Sequence, residues 1–209
     1  MTLAVIQARL GSTRLPQKAL VDIGGRSLIQ RVVAQVRQIR SVDEVVLAVP
    51  HGDVVALCYC ANVYGPKVPE PDVLARFAAT AERYPRADTI MRVTGDCPLL
   101  DPRECERVLA LYRSDPSIEY AWNCAPGYVD GEDCEVFSAD ALRRAHREAT
   151  DAFDREHVTP WIRRHVKVAT LMPETDRGHL KTSVDTPEDL ERVRQMVING
   201  ENHAGLARA

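Results

Sequence analysis

The 209 residues carry 27 lysines and arginines against 30 aspartates and glutamates, a net charge of -3, which gives no overall pull toward nucleic acid or an anionic membrane. A chain of this length suits one domain with its own core, and 45% apolar but only 5% aromatic residues make that core aliphatic. No apolar run approaches about 18 residues and Met1-Thr2 leads straight into a strand-like run, so the expectation is a cytoplasmic protein that does not enter a membrane.

Leu3, Ala4, Val5 and Ile6 form a short apolar run, the pattern of a strand buried on both faces. The loop behind it carries three fixed cations, Arg9, Arg14 and Lys18, beside Gly11, Ser12 and Thr13. That set suits a polyphosphate: glycine lets the backbone approach, N–H groups solvate oxyanions, and guanidinium groups fork onto two oxygens. A solvated surface loop with ordinary charges is the alternative. Neither the Walker loop nor the dinucleotide Gly-x-Gly-x-x-Gly pattern fits a loop with one glycine.

Gly24-Gly25 makes a turn and Ser27 caps a helix in which Leu28, Ile29, Val32, Val33, Val36 and Ile39 recur at helical spacing. Glu44 to Val49 is the next strand and Asp53 to Ala61 a second helix, with Pro66, Pro69 and Pro71 breaking the chain behind it. Asp72 to Tyr84 is helical, with Arg76 off its apolar face. Thr89 to Val93 is a central strand, and Thr94-Gly95-Asp96 stands at its carboxyl end, where ligands bind in open parallel sheets. Asp101-Pro102-Arg103-Glu104 opens a helix that runs through about Arg113.

Tyr120 to Asn123 and Cys134 to Phe137 read as strands around a turn-rich insertion, Gly127 to Gly131, so that 127–137 is expected to form an exposed β-arm. Ser138 caps the helix Ala139 to Ala149, and Asp154 to His165 reads as one helix, with Pro160 in its first turn if it starts late. Val166 to Leu171 is an edge strand, Lys181 to Val184 the last strand, and Thr186 caps a helix from Pro187. Residues 1–198 form one domain and 199–209 fray. Alternating strands and helices predict the α/β class, a mostly parallel sheet with helices on both faces. The six cysteines, at 58, 60, 97, 105, 124 and 134, lack zinc-site spacing and read as small apolar fillers.

Two carboxylates carry the sharpest expectation. Asp96 and Asp185 each stand after a predicted strand and before a helix, and parallel strands bring both to the edge that holds the cationic loop. Either one alone could cap a helix. Beside triphosphate oxygens, the pair requires a hard cation between them, and magnesium fits that need.

Ala8-Arg9-Leu10-Gly11-Ser12-Thr13-Arg14-Leu15-Pro16, with Lys18, resembles the opening motif of the cytidylyltransferases, the group of acylneuraminate and 3-deoxy-manno-octulosonate cytidylyltransferases and their spore-coat polysaccharide branch. The likeness recurs at Thr94 to Leu99, Gly131 to Ser138, Glu156 to Pro160 and Val184 to Leu190. It implies the Rossmann-like nucleotide-diphospho-sugar transferase fold, magnesium held by Asp96 and Asp185, and transfer of CMP from CTP to an acidic or phosphorylated sugar for surface glycan synthesis. It also implies that Ala8, Arg9, Gly11, Ser12, Thr13, Arg14, Lys18, Arg76, Thr94, Gly95 and Asp96 hold the nucleotide, with Arg14, Lys18 and Asp96 as catalytic groups. Asn123, Asp133, Glu135, Glu156 and His157 are then expected to face the sugar, and the protein to act as a homodimer. Gln17 departs from the family, where glycine commonly precedes the loop lysine, so Lys18 has a stiffer base. Two rivals differ in product: a CTP-binding regulatory subunit releases no pyrophosphate, and a metal-dependent glycosyltransferase releases a nucleoside diphosphate.

Overall fold

The computed structural model describes residues 1–58 and 61–200. Strand β1 (Thr2–Gln7) is an inner strand of a seven-stranded sheet, parallel to β4 (Glu44–Ala48) on one side and β6 (Thr89–Thr94) on the other. Between β1 and β4 come a small hairpin, β2 (Asp22–Ile23) and β3 (Arg26–Ser27), and helix α1 (Leu28–Val36). Ser27 and Gln30 close a capping box at the start of α1, as the sequence predicted for the serine. Then follow the short α2 (Val54–Leu57) and the edge strand β5 (Val63–Tyr64), and α3 (Val73–Glu82) leads into β6.

Beyond β6, α4 (Pro102–Arg113) leads to β7 (Tyr120–Trp122) and β8 (Glu135–Ser138). The chain continues through α5 (Ala139–Glu148), α6 (Ala152–His157), α7 (Pro160–His165), β9 (Val168–Thr170) and α8 (Pro187–Ile198). The order β5-β4-β1-β6-β8-β7-β9 is parallel except at β8, which runs antiparallel to both neighbours. Alternation within β1 splits the core as expected. Ala4 and Ile6 pack under α1, α4 and α8, whereas Leu3 and Val5 pack under α3, α5 and α7.

Four expectations are corrected. Residues 127–137 make no arm: β8 belongs to the central sheet, and the loop before it is drawn inward, with Tyr128, Val129 and Glu132 buried. Asp154 to His165 is two helices, because Val158 takes φ 70° and ψ -56° and Thr159 N–H bonds the carbonyl of His157, a γ-turn that leaves Pro160 to start α7. Lys181 to Val184 is no strand. It runs beside a loop, and Asp130 O accepts from the N–H groups of Thr182 and Ser183. The expected helix from Asp53 is confined to Val54–Leu57; its expected continuation through Tyr59 and Cys60 lies outside the described residues, as do residues 201–209 of the expected tail.

Candidate active site

Gln7 in β1 pairs in register with Ala48 of β4 and Thr94 of β6, so three parallel strands end together and release their loops at one edge. Gly95 makes this junction possible. Its N–H bonds Gln7 O at 2.8 Å, and a Cβ there would stand 2.6 Å from that oxygen. The loop after β1 is pinned at its own backbone: Leu10 N–H donates to Asp53 Oδ2 at 2.8 Å, and Leu15 N–H to Ser12 Oγ at 3.3 Å. Gln17 then adopts the left-handed conformation, φ 54° and ψ 31°, and turns the chain into the short 3-10 turn of Lys18–Leu20.

Asp185 reaches the same edge without a strand. Val184 N–H bonds Asp96 O at 2.9 Å, and Thr186 starts α8 with a capping box closed by Asp189. The two carboxylates therefore converge. Lys18 Nζ donates to Asp96 Oδ2 and to Asp185 Oδ1, both at 3.1 Å, and Arg14 reaches Asp185 Oδ1 at 3.2 Å. Burial pushes the Asp96 carboxyl up, but Lys18 and the hydrogen bonds of Thr94, Lys18 and Cys97 outweigh it and hold the group below its ordinary value. Burial and the neighbouring Asp96 push the Cys97 thiol well up, which makes it a filler rather than a nucleophile.

A cleft of about 280 Å³ opens over this pair. It takes in Ala8, Arg9, Ser12, Thr13, Arg14, Lys18, Arg76, Thr94, Gly95, Asp96, Glu156, His157 and Asp185 from the expected set. Gly11 stands in the same loop but off the lining; a Cβ on it would lie 3.4 Å from Glu70 Oε1. Arg76 is 2% exposed, its Nη2 donates to Glu70 O at 2.6 Å, and its Nε has no hydrogen-bond partner. Burial lowers its guanidinium from the ordinary value. An under-compensated buried cation on a cleft wall calls for an anion.

The acceptor-side expectation divides. Glu156 and His157 line the cleft, carried there by α6, which Arg155 ties to Asp72 at the start of α3 through bonds of 3.0 and 2.6 Å. Asn123 and Glu135 do not line it. Asn123 is fully buried, donates to Glu132 O and accepts from Cys134 N–H at 2.7 Å, and so fastens the loop before β8. Glu135 faces Arg92 across the β6–β8 ladder, pairs with it, and accepts from Tyr120 and Thr159 hydroxyls. Asp133 also lies off the lining; burial, with Asp130, Glu135 and Asp96 nearby, pushes its carboxyl up to about 6.

The sequence did not single out Gln7, which lines the cleft. Arg92 Nε donates to its Oε1 at 3.0 Å. A guanidinium only donates, so the amide oxygen must face Arg92, leaving the NH2 group as the free donor. Among the described residues no three acidic, histidine or cysteine side chains cluster as a ready cation site, so Asp96 and Asp185 offer two protein ligands, and a bound phosphate and water would complete a shell. No helix among the described residues is long and apolar enough to cross a membrane.

A family model described as Cytidylyltransferase matches residues 3–202. The chain is 32% identical over 210 residues to the spore coat polysaccharide biosynthesis protein SpsF of Bacillus subtilis, covering 93% of this chain and 85% of that protein. Its fold is similar to that of a cytidylyltransferase from Leptospira borgpetersenii, with a TM-score of 0.89, 24% identity, and coverage of 99% of this chain and 92% of the other. It is also similar to a CMP:2-keto-3-deoxy-manno-octonic acid synthetase solved in complex with CTP, with a TM-score of 0.74, 22% identity, and coverage of 95% and 99%. The chain belongs to the cytidylyltransferase family.

Proposed function

We propose that the protein transfers CMP from CTP to an acidic or phosphorylated sugar, with release of pyrophosphate, in the making of a surface polysaccharide. The observation that carries this reading is the convergence of Asp96 and Asp185 on Lys18 at the mouth of the loop that bears Arg9 and Arg14. An oxygen of the acceptor attacks the α-phosphorus of CTP, the bond to the bridging oxygen of the pyrophosphate breaks, and the charge that gathers on the leaving group needs fixed cations. Arg14 and Lys18 supply them from the loop that follows β1. Arg9, Arg76 and the backbone of Ala8 hold the nucleoside and its phosphates, with Ser12, Thr13 and the Gly11 turn beside them. A divalent cation, magnesium in this reading, bound by Asp96 and Asp185 would neutralise phosphate charge and lower the pKa of the acceptor hydroxyl.

Glu156 and His157 face the acceptor, and His157 is the group placed to take its proton. Asp133, expected with them, lies off the lining. The preference for cytosine and the nature of the acceptor are supported by the family and by the CTP and octonic acid named for the solved relative. The family likeness alone carries the further elements of a homodimer and a cytoplasmic location, where nucleoside triphosphates are made.

Pyrophosphate release measured across the four nucleoside triphosphates, a panel of acidic sugars and sugar phosphates, and added Mg2+ tests the proposal. Release with CTP and one acceptor class is expected. Binding of CTP without release under any combination would reassign the chain as a regulatory subunit, and a nucleoside diphosphate product would make it a glycosyltransferase.

A further inference from the structure

Lys18 Nζ stands 3.1 Å from one oxygen of each metal-binding candidate, Asp96 Oδ2 and Asp185 Oδ1, and its side chain is only 17% exposed. A divalent ion held by these carboxylates would draw on the same two oxygens that the ammonium now bonds. The two cations would compete for the same lone pairs, and their like charges repel. We infer that Lys18 is the place-holder for the divalent cation: it keeps the two carboxylates together and must leave when the metal enters. The inference rests on the functional reading above and deepens it.

Two further observations say where the lysine goes. Its backbone is fixed, since Lys18 N–H bonds Leu15 O and Val21 N–H bonds Lys18 O, so only the side chain can move. Arg14 and Lys181, at 3.2 and 3.7 Å from Asp185, leave that acid partly compensated when Lys18 departs. The ammonium itself needs a new anion, and the cleft it lines is where the triphosphate lies in the proposed reaction. Metal and nucleotide therefore bind with positive coupling: the nucleotide gives Lys18 new partners and frees the carboxylates, and the metal releases Lys18 to the phosphates. Without nucleotide the lysine competes with the metal and keeps its affinity low.

Free Mn2+ counted by electron paramagnetic resonance, with no nucleotide present, tests this on the full chain. Lys18→Met should bind one Mn2+ about tenfold or more tighter than the unaltered protein, a typical span for such coupling. Asp96→Asn in the same background should lose the gain. Equal or weaker binding by Lys18→Met overturns the inference; if that variant fails to fold, Lys18→Gln, of similar shape and neutral, is read in its place. A parallel titration with CTP separates this inference from the reading it rests on. An Mn2+ site that needs both CTP and Asp96, with no change on replacing Lys18, removes only the place-holder. No Asp96-dependent site at any CTP concentration removes the functional reading and the inference with it.

Discussion

At Lys18 a single ammonium ties Asp96 and Asp185 together, and in the proposed reaction the same group meets the departing pyrophosphate. Lys18→Ala should therefore cost about 3 kcal/mol of transition-state stabilisation, roughly a hundredfold in turnover, by analogy with loss of one preorganised donor. The place-holder role adds that this slow variant holds metal more tightly. Asp96→Asn and Asp185→Asn should each abolish metal-dependent turnover while circular dichroism shows the fold intact; a near-normal rate in either would reduce that residue to a structural one. Gln17 is in the left-handed region at φ 54°, a position where a side chain costs about 1 kcal/mol. Gly lacks that cost but adds about 0.4 to 1 kcal/mol of unfolded-chain entropy. The two nearly cancel, so Gln17→Gly should change the unfolding free energy by less than about 0.5 kcal/mol, whereas β-branched Gln17→Val should destabilise by about 1 to 2 kcal/mol. Urea denaturation of the two variants distinguishes them.

Helix α6 shows how an element reaches the cleft by anchoring rather than by its own length. It has six residues, far too few to be stable alone, and it is held by Arg155 on Asp72, a carboxylate that also caps α3. Arg155→Ala should cost about 1 to 3 kcal/mol and let Glu156 and His157 drift. Acceptor KM should rise while CTP affinity measured by calorimetry holds; weakened CTP binding with unchanged acceptor KM would place α6 on the nucleotide side. Much of this site was legible in the sequence, because the cationic loop and Gly95-Asp96 lie at strand ends and parallel strands deliver their ends to one edge; the strand expected before Asp185 does not form, and that residue arrives through the Val184 N–H bond to Asp96 O. Asn123 and Glu135 were misread for a reason of register. The family likeness put them at the sugar, but antiparallel β8 places Glu135 opposite Arg92, and the pair is satisfied inside the protein. Gln7 escaped notice since a glutamine closing a strand carries no local signal; only its Arg92 partner on β6 fixes the amide. The γ-turn at Val158 was equally invisible. A buried valine with positive φ is a local cost that tertiary contacts impose, and it separates the cleft-facing end of α6 from Thr159, which turns to Glu135.

The whole molecule should respond to pH through acids buried in the loop before β8. Glu132 is fully buried and paired with Arg177 at 2.9 Å, yet burial outweighs that pairing and pushes its carboxyl up to about 7; Asp133 rises to about 6 for the same first cause. A raised acid binds more protons folded than unfolded, so its contribution is fully present below the unfolded value and is lost as pH climbs through the folded one. Stability should fall between about pH 4 and pH 7 and level off above. At about 1.4 kcal/mol for each pH unit between the ordinary 4.5 and about 7, Glu132 alone carries about 3 kcal/mol of that fall. Asp96 and Asp189 act in the opposite sense: both are held below their ordinary values, so stability also falls in stronger acid as they protonate. The maximum should therefore lie near pH 4 to 5 rather than at neutrality. Urea midpoints from pH 4 to pH 8 should show this slope in the parent and a shallower one in Glu132→Gln, whatever the absolute cost of leaving Arg177 without a carboxylate. A parent midpoint that is flat or rising from pH 5 to pH 7, or an equal slope in Glu132→Gln, would mean that Glu132 stays ionised in its pair with Arg177 and that the loop before β8 is held by an ordinary ion pair.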